Sequence, residues 1–159
     1  MGRISAYGIT VDVPAGWDGR IYRREADVGE TTHAALHVAS FPLPGRRGDF
    51  GSGAVEAMTA DDVLLVLLEY HPDSAGAPLF QSSVPVSLDP AAFSGSSLQR
   101  PLAGQGGMQR FCTASGRAFC LYAVLGNLAA RGRLVPRLDG VLATLSVAPA
   151  AADRPGASG

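Results

Sequence analysis

Between Asp62 and His71 the chain reads VLLVLLEY, its most apolar run. A strand with one wet face alternates apolar and polar residues, but Val63 to Leu68 offers no polar position, so such a strand needs cover on both faces. A buried helix would read the same. The run is short and ends in the turn signal His71-Pro72-Asp73, which favours the strand, and the sequence therefore predicts a sheet with packed layers on both sides.

Other segments supply strands and a cover. Ile9, Val11 and Val13 alternate with Thr10 and Asp12, the period of a half-buried strand. Pro14 has no N–H for a ladder, and Pro14-Ala15-Gly16, followed by the single Trp, Trp17, reads as a tight reversal. Beyond Gly19 the chain is extended again, with Arg20, Tyr22 and Arg24 on one face and Ile21 and Arg23 on the other, and the two strands are expected to pair as a hairpin. His33 to Phe41 is expected as a strand, 42–53 as an exposed Gly- and Pro-rich loop, and Ala54 to Asp62 as a short helix. Weak extended runs lie near Ser83 to Leu88 and Ser97 to Leu102. Met108 to Ala114 and Ala118 to Leu125 are expected to be antiparallel neighbours across a Ser115-Gly116-Arg117 loop. Leu134, Leu138, Val141, Leu142 and Leu145 share one helical face, predicting a helix over 134–145 with Pro136 near its start and a short closing strand at Ser146 and Val147. The expected organisation is one α/β (α+β) domain over 1–147, an antiparallel sheet flanked by helices, with a flexible tail over 148–159.

Composition narrows the function classes. With 47% hydrophobic and 17% charged residues, the 159-residue chain has the balance of a folded domain. Its net charge of -1 provides no global field for nucleic acid or an anionic membrane. No run approaches the roughly 20 apolar residues a spanning helix needs, and the N-terminus has no signal-peptide pattern, so a cytoplasmic location without membrane insertion is expected. All 13 basic residues are Arg and Asn127 is the one Asn, a bias of GC-rich, bacterial coding that lowers the functional weight of any single Arg.

The two ends of the chain resemble a known family. ITVDVPAGW is similar to the opening strand and turn of the PsbP and Ran-binding Mog-like superfamily, and VLATLSV to its closing helix and strand. The resemblance implies an α/β/α sandwich in which Ile9, Val11, Val13, Trp17, Val141, Leu142 and Leu145 are core or turn residues. It also implies a binding role, with the cytosolic chaperones of secreted effectors as the nearer analogues, because fold membership alone does not choose a function.

The chemistry-bearing residues give no catalytic constellation. Glu30, His33 and His37 have metal-ligand spacing on a helix, but on the expected strand the two imidazoles stand roughly 13 Å apart, too far for one ion. They read as surface or packing residues. Cys112 and Cys120 fall directly across the hairpin if its loop has three residues; in a reducing cytosol they are expected to be free, buried thiols. Asp61-Asp62 reads as the start of a polar turn. No nucleophile elbow, P-loop or dinucleotide fingerprint is found, and neither a metal nor a cofactor is expected. Arg20, Arg23 and Arg24 on the first hairpin, with Arg46 and Arg47 in the long loop, are candidates for docking an acidic protein partner. The sequence thus points to a non-catalytic cytosolic protein-binding module, adaptor or effector chaperone; the alternative is a small enzyme or ligand carrier with a pocket near His33, His37 and the 42–53 loop.

Overall fold

In the computed structural model, which describes residues 2–24 and 33–150, Val63–Glu69 forms a strand whose first six residues are fully removed from solvent. This strand, β5, is the middle member of a five-stranded antiparallel sheet. Its neighbours are β4 (Ala34–Ala39) and β7 (Arg117–Leu125), and its edges are β3 (Asp18–Arg23) and β6 (Gly106–Ala114), in the order β3-β4-β5-β7-β6. A second, three-stranded antiparallel sheet has the order β1-β2-β8, from Gly2–Ala6, Ile9–Val13 and Ser146–Val147. With one α-helix among the described residues, α1 (Arg131–Leu142), the architecture is mixed α+β with more strand than helix.

The two faces of the large sheet bury different layers. Leu36, Val38, Leu65, Leu67, Phe119 and Leu121 pack on one face against Leu134, Leu138 and Val141 of α1 and Ile9 and Val11 of β2. Ala35, Leu64, Val66, Leu68, Tyr122 and Val124 point the other way, where Phe41, Leu43, Ala54, Val55 and Leu98 cover them from irregular chain. The helix expected over Ala54 to Asp62 is one 3-10 turn, Val55–Ala57. The weak runs at 83–88 and 97–102 form no strands; Ser83 makes a single bridge to Thr113.

The expected first hairpin is not formed. The reversal itself is present, with the Trp17 N–H donating to the Pro14 carbonyl at 3.0 Å and Gly16 at φ 83°. It carries the chain between sheets, so β2 pairs with β1 and β8 while β3 pairs with β4. β2 has a nearer partner. Tyr7 and Gly8, at φ 53° and 77°, make the two-residue turn with both central residues at positive φ that suits a twisted hairpin, and so join β1 to β2. The layers meet closely at Gly19, where an added Cβ would lie 2.6 Å from Cγ2 of Val13.

The C-terminal half departs in smaller ways. Ser115 and Gly116, at φ 52° and 76°, form a two-residue turn, and Arg117 belongs to β7. That shift of one residue sets Cys112 opposite Phe119 and Cys120 opposite Phe111, so the cysteines point to opposite faces and cannot face each other. Both are free and buried, as expected for thiols. The helix begins three residues before Leu134, leaving Pro136 inside it on the exposed side, and Leu145 lies beyond its end. The closing strand is present, Val147 pairing with Ile9. Of the expected tail, Ala148 is tied down, its N–H donating to the Gly8 carbonyl at 2.8 Å; residues 151–159 lie outside the described residues.

Candidate functional site

The alternation read along β3 is present, with Arg20 beside His37 and Tyr22 beside Ala35 on the loop-covered face. His37 is fully buried. Its Nδ1 accepts from Nε of Arg47 at 2.8 Å, which places the imidazole proton on Nε2, and Nε2 donates to the Asp49 carbonyl at 2.7 Å. The Tyr22 hydroxyl donates to Oδ1 of Asp49 at 3.0 Å, and its ring meets the imidazole edge-on with centroids 5.3 Å apart. Burial, against the opposing Asp49 carbonyl and carboxylate and with a smaller push from the Arg47 charge, brings the His37 pKa down to about 4. Burial and the Asp49 carboxylate both raise the Tyr22 phenol above its usual range. A neutral imidazole thus fastens the 42–53 loop to the sheet.

This latch divides the five candidate arginines. Arg47 is consumed inside, donating also to the Pro44 carbonyl at 2.8 Å. Arg24 donates to the Glu69 carbonyl, stacks over Tyr70 at 5.5 Å and approaches Asp49 to 4.0 Å. Arg20, Arg23 and Arg46 are exposed. Arg20 pairs with Asp18 at 2.8 Å, and Arg23 lies over the Tyr7 ring at 5.4 Å on the opposite face of β3. Of the two expected clusters, the exposed members are thus Arg20 on the loop side of β3, Arg23 on its other side and Arg46 in the loop itself.

The pocket expected around His33, His37 and the 42–53 loop does not assemble, because His37 is sealed in the latch. His33 lines a separate recess of about 410 Å³ with Tyr7, Arg23, Glu69 and Arg117. Arg117 is occupied there, holding the Glu69 carboxylate with two bonds of 2.7 and 2.9 Å and the carbonyls of Tyr7 and Ala148 at 2.9 and 3.0 Å. Glu30 lies outside the described residues, among which no three His, Cys, Asp or Glu side chains converge for a metal. Burial raises both thiols to about 11, which keeps them protonated near neutrality. Asp62 caps the expected polar turn, accepting from the Thr59 N–H at 2.8 Å and from the Ser40 hydroxyl at 2.9 Å.

Asp49 and Asp18 were not among the residues the sequence singled out, although Asp18 anchors the same loop by accepting from the Leu43 N–H at 2.9 Å. The one sequence signal for the latch was a His inside AALHVA, where every other residue is apolar. No family model matches the chain, and no curated protein or solved structure shows significant similarity to it. The one α-helix among the described residues is too short to cross a membrane.

Proposed function

We propose that the chain is a non-catalytic, cytosolic protein-binding module of the adaptor or effector-chaperone kind, a single domain over 1–147 that docks an acidic partner on the rim of β3. The observation that carries the reading is the division of the arginines: the latch takes up Arg24 and Arg47, while Arg20 and Arg23 stand exposed on the two faces of β3 and Arg46 stands exposed in the loop that covers it. Exposed cations on both sides of a strand favour a negatively charged segment and repel a basic one. The PsbP and Mog-like resemblance supports the same class of role. Its two quoted stretches adjoin here, Ile9 beside Val147, and the reading takes the irregular 41–58 cover as standing where that superfamily's sandwich has a second helical layer.

Affinity capture from the source organism, with mass spectrometry, tests the proposal. The expected outcome is one cytosolic protein with an acidic segment, retained by the parent chain, weakened by salt and lost from an Arg20→Glu, Arg23→Glu, Arg46→Glu variant that melts like the parent. Equal capture by parent and variant would exclude the arginine rim as the docking surface.

A further inference from the structure

We propose that the outer edge of β3 takes an extended, acidic segment of another protein as an added sixth strand of the large sheet, an inference that rests on the docking reading above. The phase of the ladder sets which groups are offered. The Arg24 N–H donates to the His33 carbonyl at 2.9 Å, so Asp18, Arg20 and Tyr22 exchange bonds with β4 while Gly19, Ile21 and Arg23 turn their N–H and C=O groups outward. The Gly19 carbonyl accepts from the Arg20 guanidinium at 3.1 Å; the backbone groups of Ile21 and Arg23 have no partner among the described residues.

The opposite edge of the same sheet is covered at its two ends. At β6, Gly107 and Ser94 exchange N–H and C=O bonds of 2.9 Å each, and the Thr113 N–H donates to the Ser82 carbonyl at 2.8 Å, so irregular chain covers the two ends of that edge and leaves Gln109 and Phe111 turned outward between them. Covering chain is a usual defence of an edge against unwanted pairing, and β3 has no such backbone bond at either end among the described residues. Shallow recesses flank the open edge on both sides. One of about 280 Å³ lies between Arg20, Tyr22, Gly45 and Arg47. The other, of about 340 Å³, lies between Ile4, Val13, Pro14 and Trp17.

A strand added here alternates its side chains between those recesses. Positions beside Arg20 meet its guanidinium and the Arg47 side of the recess and favour Glu or Asp, with Asp18 paired to Arg20 and Asp49 held by Tyr22 as the carboxylates on that side. Positions beside Ile21 meet the recess at Ile4 and Trp17, and the end of the segment reaches Arg23. A second copy of this chain fits poorly, because antiparallel pairing of two β3 edges about Ile21 makes the two Arg20 side chains diagonal neighbours.

The test uses the whole chain and a synthetic peptide of alternating Val and Glu. Saturating peptide should slow amide hydrogen exchange at Ile21 and Arg23 by about tenfold or more, with smaller changes elsewhere on β3. Arg23→Pro removes one outward donor without touching the β3–β4 ladder, and should bind the peptide about tenfold more weakly than Arg23→Ala, the loss of one hydrogen bond. Failure to bind, unchanged exchange at Ile21 and Arg23, or equal affinities of the Pro and Ala variants would overturn strand addition; the exchange result stands even if Arg23→Pro folds poorly. If those affinities are equal but Arg20→Glu with Arg46→Glu still abolishes binding, the docking reading survives alone. If that charge reversal changes nothing, both fail. Slowed exchange on concentration without peptide, with a dimer in sedimentation, would put a second copy at the edge and overturn the proposal.

Discussion

Helix α1 covers one face of the large sheet with Leu134, Leu138, Val141 and Leu142, whereas the opposite face lies under Phe41, Leu43, Phe50 and Val55 from chain with no regular structure beyond a 3-10 turn. A helix bonds its own backbone groups internally, so its underside can be wholly apolar. A loop cannot, and each of its buried N–H and C=O groups needs a partner. The polar residues on the loop-covered side meet this need: His37 takes the Asp49 carbonyl, Gln105 the Val55 carbonyl at 2.8 Å, Asp18 the Leu43 N–H. The buried His37 and Gln105 are thus consequences of a loop layer, and the loop face is the one expected to open locally.

The largest effect is expected on the helical face. Leu138→Asp places an unpaired carboxylate where the parent side chain is fully buried, at a cost of several kcal/mol against a typical stability of about 5 to 15 kcal/mol, so the whole chain should unfold. A cooperative melt like the parent's would show that α1 does not pack as described. His37→Ala on the loop face strands the Arg47 Nε and the Asp49 carbonyl and leaves a cavity, costing about 2 to 4 kcal/mol. The loss should be local: hydrogen exchange should quicken across 42–53 while β5 and β7 stay protected. Equal quickening in both regions would erase the distinction between the faces.

The helical face was the more legible one because its determinants are periodic. The leucines of α1 recur every three or four residues, and VLLVLL demands two covers whatever supplies them. Alternation along β3 also placed Arg20, Tyr22 and Arg24 on one side and Ile21 and Arg23 on the other. It gave no indication that Arg24 and Arg47 are used internally, since that depends on the path of a loop with no period. Strand β1 escaped notice because Ile4 is its one large apolar residue and Tyr is an unusual first residue for a two-residue turn. Without that strand, β2 had β3 as its nearest candidate partner, and the wrong hairpin followed.

Acid should act on the loop face first. Folded His37 resists protonation down to about pH 4, while an unfolded imidazole takes its proton near 6.5. Between those values the unfolded chain binds more protons, so stability present above 6.5 falls as the pH drops toward 4, by about 2 kcal/mol at pH 5. Urea midpoints measured at pH 7 and pH 5 should diverge in the parent and differ less in His37→Gln, which removes this titration but keeps that of His33. The same pH dependence in both proteins would separate the latch from the acid response.

The smallest effect compares the faces through the two thiols, since Cys112 packs with Phe119 on the helical side while Cys120, between Leu68 and Phe111 across the ladder, points to the other face. Truncation to Ala removes one buried sulfur in each case and should cost about 1 kcal/mol, close to the loss of a methylene. Reactivity should separate them more clearly than stability. Both thiols are held near 11, so alkylation at pH 8 requires exposure as well as deprotonation. If the loop cover opens by itself, Cys120 is labelled at the rate of that local opening and Cys112 at the slower rate of global unfolding. His37→Ala should then accelerate labelling of Cys120 and leave Cys112 nearly unchanged. Denatured, unreduced protein from fresh lysate should yield two thiols per chain; recovery of none would contradict both the opposite-face geometry and a reducing compartment. Equal labelling of Cys112 and Cys120 in the parent and in His37→Ala would mean that the sheet loses both covers together, and that the latch stabilises the whole domain and not one face of it.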